Sequence, residues 1–532
     1  MNGIIKKAIS FFLTATLLIT SGFSLASATE TDDGYTIITT AAELNDIRNK
    51  LDENGKIYGK YRLGANIVFD QGETFQPIGK AAQNPFIGEF DGNGYTIKNL
   101  TLKADEQSYS TLYLGLFAYN NGTIKNLIID NVSLEITKCS YLYAGAIAGA
   151  MVNTGGRGKV INCYVKGSVN VNKTTKASAT WLGGIAGKVL GGQVNKTVSD
   201  MNINYVCSDI ENIYIGGIAA ESSGKIIGCG SVGDIYALSE NESVVAGGIV
   251  GNLTSTTSAI QDCYNVGDIT GESGRTLCLG GIAGAMGANN YTTKLLYNCN
   301  TGKITPTSNF LGGGFTSSMA TVASGAIIGN FNGESNGNFY LKGTYSVAAT
   351  NLNLSNTTGK GLNATEIEKV EDIRSQEVLN KLTTWYLPTD SSLIPHLQAW
   401  KNIKNYELTS YARDVDKKYN AIIATNPVEF TVEYDDGTFA TETKAVCSKI
   451  ELGENDLTVS LRGVEKQFQY LGYIPGDVNF DAKITVTDIT KTISSITNDE
   501  ELGSGVVPAD MDGNELVTVT DVVEIRKVIL QK

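Results

Sequence analysis

The chain has 532 residues, 42 basic side chains against 55 acidic ones, 8 cysteines and one histidine, His396. A net charge of −13 excludes a sequence-independent nucleic-acid binder, which needs a basic footprint. A lone histidine cannot supply an H-E-x-x-H zinc site, and 59 glycines beside only 8 prolines exceed ordinary globular usage without a collagen period.

At the N-terminus, Lys6 and Lys7 precede an apolar run from Ala8 to Ile19, and Ala26-Ser27-Ala28 is a small-x-small cleavage site. Residues 1–28 therefore read as a secretory signal peptide. The run is short for a membrane span and no second one follows, so a secreted, extracellular protein is expected. Next, Thr40-Ala41-Ala42-Glu43 forms a capping box opening an amphipathic helix with Leu44, Ile47 and Leu51 on one face.

Repeats dominate the chain from there. An apolar-glycine phrase recurs around Leu116, Ile147, Ile185, Ile218, Ile249, Ile282 and Ile327, in steps of 31 to 45 residues. Between copies lies a second phrase, as in Ile161-Asn162-Cys163-Tyr164 and Ile260-Gln261-Asp262-Cys263-Tyr264, which continues as an alternating strand. Short β-branched runs punctuated by Gly and Asn at a near-fixed period predict stacked coils of parallel strands, a right-handed parallel β-helix. Each coil is too small to bury its own core and hides its Ile, Val and Leu against its neighbours. The glycines suit positive φ at corners and close approach of backbone layers.

Residues 29–400 resemble the GLUG-repeat family of extracellular bacterial proteins, through Phe86-Ile87-Gly88-Glu89-Phe90-Asp91-Gly92-Asn93-Gly94-Tyr95-Thr96-Ile97-Lys98-Asn99-Leu100, Gly115-Leu116-Phe117 and the Gly-Gly-Ile-Ala-Gly copies. The resemblance implies an architecture rather than an activity. The family occurs beside adhesin modules, carbohydrate-active modules and immunoglobulin-cleaving metallopeptidases, and the last association fails for want of zinc-binding histidines.

Cys163, Cys229, Cys263 and Cys299 take the same place in successive repeats, so a ladder of thiols packing as small hydrophobes is preferred to disulfides. Cys139, Cys207, Cys278 and Cys447 are scattered, without metal spacing. Asp234 and Asp268, in equivalent Val-Gly-Asp-Ile phrases, are the catalytic candidates, because stacking brings them near one another as a glycosidase pair requires. The plainer reading makes them turn acids of the repeat. Arg157 and Arg275 are the only arginines between residues 115 and 330, which weakens a lyase needing a basic group beside the abstracted proton. Outward Tyr141, Tyr143, Tyr164, Tyr214, Tyr236 and Tyr264 offer rings for stacking on sugars.

Thr365 with Glu368, then Ser375, Val378, Leu379 and Leu382, reads as one or two short helices, and the stretch through Trp385, Pro395 and Trp400 closes the solenoid. His396, inside that stretch, is read as packing. In residues 401–474, Val428–Tyr434 and Leu457–Leu461 alternate and Asp435-Asp436-Gly437 is a hairpin turn. A small antiparallel, β-sandwich-like spacer is expected, an immunoglobulin-like fold being one arrangement that fits.

Residues 475–532 carry the strongest signal. Asp477, Asn479 and Asp481 are followed by Asp488 at loop position 12, and 33 residues later Asp510, Asp512 and Asn514 by Asp521. Oxygen ligands at positions 1, 3, 5 and 12, a carbonyl at 7 (Lys483, Leu516) and Thr485 or Thr518 at 9 suit a hard cation such as Ca²⁺, one per loop. Each loop leads into a helix with an apolar face: Ile489, Ile493 and Ile496, then Val522, Ile525 and Ile529.

This paired EF-hand-like segment closely resembles a type I dockerin, which docks exported proteins onto a cohesin module of a scaffoldin. The resemblance assigns cohesin contact to Val486-Thr487, Val519-Thr520 and the basic pair Arg526-Lys527, which is replaced by Ile493-Ser494 in the first copy. Ala482 and Glu515 stand at position 6, where the family prefers glycine, and weaker or slower Ca²⁺ binding follows. The preferred function is a non-catalytic solenoid binding glycans or cell surfaces and mounted on a cohesin-bearing scaffold, with no nucleic-acid partner. The alternatives are a dockerin-delivered polysaccharide hydrolase or lyase and a structural spacer.

Overall fold

The computed structural model describes residues 34–344, 364–369, 385–386, 396–397 and 403–531. Excepted within these are 71, 105–110, 138, 173–178, 208–211, 241, 256, 287–292, 308–320, 331–333, 410–413, 424–427, 435–438, 445–450, 462–463 and 499. The expected signal peptide, the Asp435-Asp436-Gly437 turn, Cys447, Ser375, Val378, Leu379, Leu382, Pro395 and Trp400 lie outside the described residues.

The repeat phrases become levels of four short strands. One level runs Tyr141–Ala144, Ala148–Val152, Lys159–Ile161 and Tyr164–Asn172; the next runs Ala179–Gly183, Ala186–Leu190, Gln193–Asn195 and Val198–Cys207. Each strand pairs in parallel with its counterpart one level on. The stacks make two 7-stranded sheets (I and II), a 10-stranded sheet (III) and a 14-stranded sheet (IV). Together they form a β-solenoid of about 6 turns.

In-register rows fill its core. Ile124, Val160, Val194, Ile226, Ile260 and Leu295 align in sheet III, and all are fully buried. Leu134, Val169, Ile203, Ile235, Ile269 and Ile304 do the same in sheet IV. Each such side chain contributes about 1.5–3 kcal/mol by leaving water, and only neighbouring levels provide its cover.

Two kinds of corner explain the two phrases. Between sheets III and IV, every level places one residue in the left-handed region: Asn126, Asn162, Lys196, Gly228, Asp262, Tyr297 and Gly337, at φ 48 to 65°. Asn, Asp and Gly accept this conformation at little cost. The Gly-Gly-Ile corners between sheets I and II differ from expectation. Gly183, Gly216 and Gly280 do not have positive φ. A Cβ at these positions would overlap the carbonyl oxygen of Ala186, Ala219 or Ala283, so close approach alone selects glycine.

The cysteine ladder is offset from expectation by one residue at its end. Cys299 pairs in register with Tyr264, not with Cys263. The corner row runs Cys163, Thr197, Cys229, Cys263, Asn298 and Asn338, and several of its side chains accept the backbone N–H of the level before. Cys163 N–H donates to Thr197 Oγ1 (3.4 Å), Cys229 N–H to Cys263 Sγ (3.4 Å), Cys263 N–H to Asn298 Oδ1 (2.9 Å) and Asn298 N–H to Asn338 Oδ1 (3.0 Å). The row is thus selected for small acceptors rather than for sulfur, which is why Thr and Asn interchange with Cys. All seven cysteines among the described residues are buried free thiols.

At the N-terminal end, Thr40 caps α1 (Ala41–Asp46) with the reciprocal Glu43 bond, as expected. Leu44 and Ile47 are buried, but Leu51 is 49% exposed because the helix gives way to a 3₁₀ turn at Ile47–Asn49. At the other end, the helix expected at Thr365–Glu368 is instead a strand, Ala364–Ile367, parallel to Asn338–Leu341. There Ile367 is buried with Phe339 and Tyr264. The open edge of sheet IV supplies a backbone ladder that outcompetes a local capping pattern. Trp385–Tyr386 pairs antiparallel with His396–Leu397.

The spacer consists of two three-stranded sheets sharing a core of Tyr406, Phe430, Val432, Leu457, Val459 and Tyr470. Ile403–Leu408, Val428–Tyr434 and Phe439–Lys444 are antiparallel. In the second sheet Gly453–Leu461 is antiparallel to Val464–Tyr473, but Ala421–Ile423, following α2 (Asp414–Lys418), is parallel to it. This is a departure from the wholly antiparallel expectation, since alternation records which face is buried and not strand direction. The C-terminal segment holds α3 (Val486–Asn498), α4 (Val506–Ala509) and α5 (Val519–Leu530) around Val478, Ala509 and Ile525. Val507 packs with Ala421, Leu471 and Tyr473 of the spacer. Among the described residues no helix is long and apolar enough to cross a membrane.

Candidate metal and docking site

The two acidic loops fold as copies of one another. Asp488 Oδ1 accepts the N–H of Val478 (2.9 Å) and Asn479 (3.3 Å), and its Oδ2 accepts that of Thr485 (2.9 Å). Asp521 repeats this with Met511 (2.7 Å), Asp512 (3.2 Å) and Thr518 (2.8 Å). At position 1, Asp477 accepts from Asp481 (3.1 Å) and Ala482 (2.9 Å), while Asp510 accepts from Gly513 (3.0 Å) and Glu515 (3.2 Å). Position 6 is left-handed in both copies, φ 65° at Ala482 and 66° at Glu515, so both loops make the sharp turn without the glycine that would ease it. Position 4 turns the same way in both, at Phe480 and Gly513, and the irregular loop sequence did not announce it.

The carboxylates are brought inward rather than left in water. Asp477, Asp488 and Asp521 are fully buried and Asp510 is 4% exposed. Among the described residues the second loop alone brings three carboxylates together, with ligand atoms of Asp510, Asp512 and Asp521 all within 4.8 Å of one another. Burial raises the pKa of Asp477, and the neighbouring Asp488 and Asp481 push the same way against the amides of Ala482 and Asp481. Buried like charges at this separation repel unless a cation joins them, so the donor set fits a hard divalent ion. Asn479, Asn514, Lys483, Leu516, Thr485 and Thr518 occupy the remaining ligand positions of the two loops. Within the first loop Asn479 Nδ2 donates to Asp481 (3.0 Å), and in the second Asn514 Nδ2 donates to Asp512 (2.9 Å).

Thr518 and Asp521 form a capping box at the start of α5, so one carboxylate both ends the loop and starts the helix. Beside them Val486 and Val519 stand 67% and 66% exposed, with Thr487 and Thr520 exposed next to each. Arg526 and Lys527 are exposed on α5. The expected apolar face of α3 needs correction at Ile493, which is 42% exposed, while Thr492 is buried and donates its hydroxyl to Asp488 O (2.8 Å). In the 33-residue repeat Thr492 is the counterpart of buried Ile525. The exposed Ile493 therefore sits where α5 carries Arg526.

On the solenoid, Asp234 and Asp268 do stack, but each carboxylate serves the backbone of the next level. Asp268 N–H donates to Asp234 Oδ1 (2.8 Å) and Lys303 N–H to Asp268 Oδ1 (2.7 Å). Tyr141 and Tyr236 are exposed, whereas Tyr264, expected outward, is 1% exposed against Cys299 and Phe339. Tyr164 is half-buried and hydrogen-bonds Asp200 (3.3 Å). Tyr143 and Tyr214 belong to a ladder with Tyr113 and Trp181 on sheet I, with stacked ring centroids 4.5 to 5.5 Å apart. Their faces cover one another, which removes them as sugar platforms. Trp181 Nε1 donates to Glu221 (2.9 Å), which also pairs with Lys188 (2.7 Å). Sequence reading missed Trp181 as a member, although it stands four residues before Ile185 as Tyr214 does before Ile218.

No protein-family profile matches the chain. A stretch of 228 residues, 41% of this chain, is 29% identical to halomucin of Haloquadratum walsbyi, and spans only 2% of that protein. A solved structure from Bacteroides ovatus, described as a candidate immunoglobulin A1 protease, aligns over 70% of this chain and 94% of its own, at 19% identity and a TM-score of 0.46. A second structure, an IgA1 protease, aligns over 92% of this chain and 40% of its own, at 12% identity and a TM-score of 0.30. The chain is a β-solenoid protein with distant similarity to these proteins.

Proposed function

We propose that residues 475–532 are a Ca²⁺-dependent docking module of the dockerin kind, fastening an exported chain to a cohesin of a scaffold protein. The solenoid it carries is read as a non-catalytic, right-handed parallel β-helix of GLUG-like repeats that presents its outer faces to glycans or a cell surface. One observation carries the docking reading: two loops 33 residues apart share the backbone bonds of their position-12 carboxylate, the position-6 bond to their first carboxylate, and their left-handed turns. Ordinary solvated acidic turns have no reason to duplicate such geometry. When bound, the ion would supply positive charge at Asp510, Asp512 and Asp521, locking the loop that starts α5. The exposed Val486-Thr487 and Val519-Thr520 pairs would then be held at fixed positions, as recognition by a partner requires. The non-catalytic reading of the solenoid is supported by Asp234 and Asp268 being spent on backbone amides. Calorimetric titration of the full chain with Ca²⁺, followed by cohesin binding in Ca²⁺ and in chelator, tests the proposal. Absence of Ca²⁺ binding refutes it.

A further inference from the structure

The outer face of sheet III carries a pattern that the solenoid core does not require. In its six strands from Thr123–Lys125 to Lys294–Leu296 the middle residue points into the core and the two flanking residues point out. Lys159, Lys225 and Lys294 occupy one outward row at every second level. Ile161, Ile227 and Leu296 occupy the other outward row of the same levels. The intervening levels present Gln193 with Asn195, and Ala259 with Gln261. Levels repeat at about 4.8 Å, so each lysine–aliphatic pair recurs at about 9.6 Å.

The charge on this face is segregated. From Thr123 to Leu296 no outward residue of sheet III is acidic, in a chain of net charge −13. Before this run Glu89 engages the Lys125 ammonium (2.5 Å), and after it Glu334 is the register partner of Lys294. Lys225 and Lys294 are exposed, and Lys159, Ile161, Ile227 and Leu296 are half-buried. Neither Lys159 nor Lys225 pairs with a carboxylate among the described residues.

We infer that this face binds a linear acidic polysaccharide that carries one carboxylate per disaccharide, lying along the solenoid axis. Two sugar residues of an extended glycan span nearly the same distance as two levels, so successive carboxylates meet successive lysines. The aliphatic side chain of each level then lies under the C–H face of the sugar, and the amide levels meet its hydroxyls. A nucleic-acid strand fits worse, since the outward residues of these strands include no aromatic ring for its bases to stack on. The inference rests on the glycan-binding reading of the solenoid and deepens it.

The test uses the full chain with hyaluronan oligosaccharides as the alternating-uronate probe, beside a neutral dextran, a polyphosphate and single-stranded DNA. Hyaluronan is expected to bind, more weakly as salt rises. The triple variant K159Q/K225Q/K294Q, with its circular dichroism unchanged, is expected to lose roughly 100-fold in affinity, about fivefold per lysine. Lys103→Gln on sheet IV is expected to leave binding intact. Undiminished hyaluronan binding by the triple variant overturns the inference, as does a preference for polyphosphate or DNA. Binding of dextran but not hyaluronan overturns it while the glycan-binding reading survives. Binding of neither glycan defeats both.

Discussion

Asp521→Asn separates the two things this buried carboxylate does. Its oxygens accept three backbone N–H bonds at 2.7, 3.2 and 2.8 Å, and one of them lies within 4.8 Å of ligand atoms on Asp510 and Asp512. An amide has one oxygen, so the variant keeps at most the Met511 and Asp512 bonds, without charge assistance, and sets its NH2 against the Thr518 N–H, at about 1 kcal/mol per weakened bond and about 1–3 kcal/mol for the bond lost. Against that stands removal of one charge from a cluster of three, which relieves repulsion when no cation is bound. In chelator the C-terminal transition of the variant is therefore expected below that of the parent, by less than the lost bonds alone would give. Ca²⁺ separates them. At 100 times its dissociation constant an ion stabilises by about 2.7 kcal/mol per site. For a domain of this size that raises Tm by roughly 10–20 °C per site, at about 4–8 °C per kcal/mol. Differential scanning calorimetry of the full chain in Ca²⁺ and in chelator should show the parent shift reduced by about half in Asp521→Asn. Asp521→Ala, which leaves all three N–H groups without an acceptor, should lower the transition in either buffer. Coincident parent scans in Ca²⁺ and chelator, or a full shift in Asp521→Asn, would refute the reasoning.

Other outcomes follow from the solenoid. Gly216→Ala places a Cβ 2.6 Å from the carbonyl carbon of Ala219 and 2.9 Å from the amide nitrogen of Gly251, and should cost about 1–3 kcal/mol or more, read as an earlier urea midpoint of Trp181 fluorescence. Gly343→Ala, at φ 76° with nothing within 4 Å, should cost only about 1–2 kcal/mol, and equal losses would discredit the close-approach argument. Burial pushes the thiols of Cys163 and Cys299 up to about 12 and that of Cys278 to about 11, so a disulfide reagent at pH 8 should label at most Cys447 until denaturant is added. Burial raises Glu89, but Lys125 at 2.5 Å and the Tyr35 hydroxyl outweigh it and hold the carboxyl below its ordinary range; burial lowers Lys125, but Glu89 and Asp91 outweigh it and raise the ammonium. The Glu89 contribution is thus present above the unfolded glutamate pKa and lost as pH falls through the folded one. That of Lys125 is present below the unfolded lysine pKa and lost as pH rises through the folded one. Hydrogen exchange across residues 35–63 should slow between these limits, and Lys125→Met should flatten both limbs.

Much of this protein was legible in its residues because repetition exposes what a single copy hides. The recurrence of Ile with glycine located the levels of the solenoid, and alternation over Val428–Tyr434 located a spacer strand, because burial of one face dictates both patterns. The two acidic loops were likewise readable as copies of one another, since Asp and Asn recur at the same offsets 33 residues apart. What tertiary structure alone decided is which neighbour each residue meets one level away. Cys299 shifts by one residue, Tyr264 turns inward and Tyr143 is covered by Trp181, because register across parallel strands is set by stacking contacts some thirty residues distant in sequence. Thr365–Glu368 became a strand edge for the same reason: a waiting row of backbone groups outweighs a local helix signal. The lysine row of sheet III likewise emerges only when alternate levels are laid side by side, since no stretch of sequence contains it.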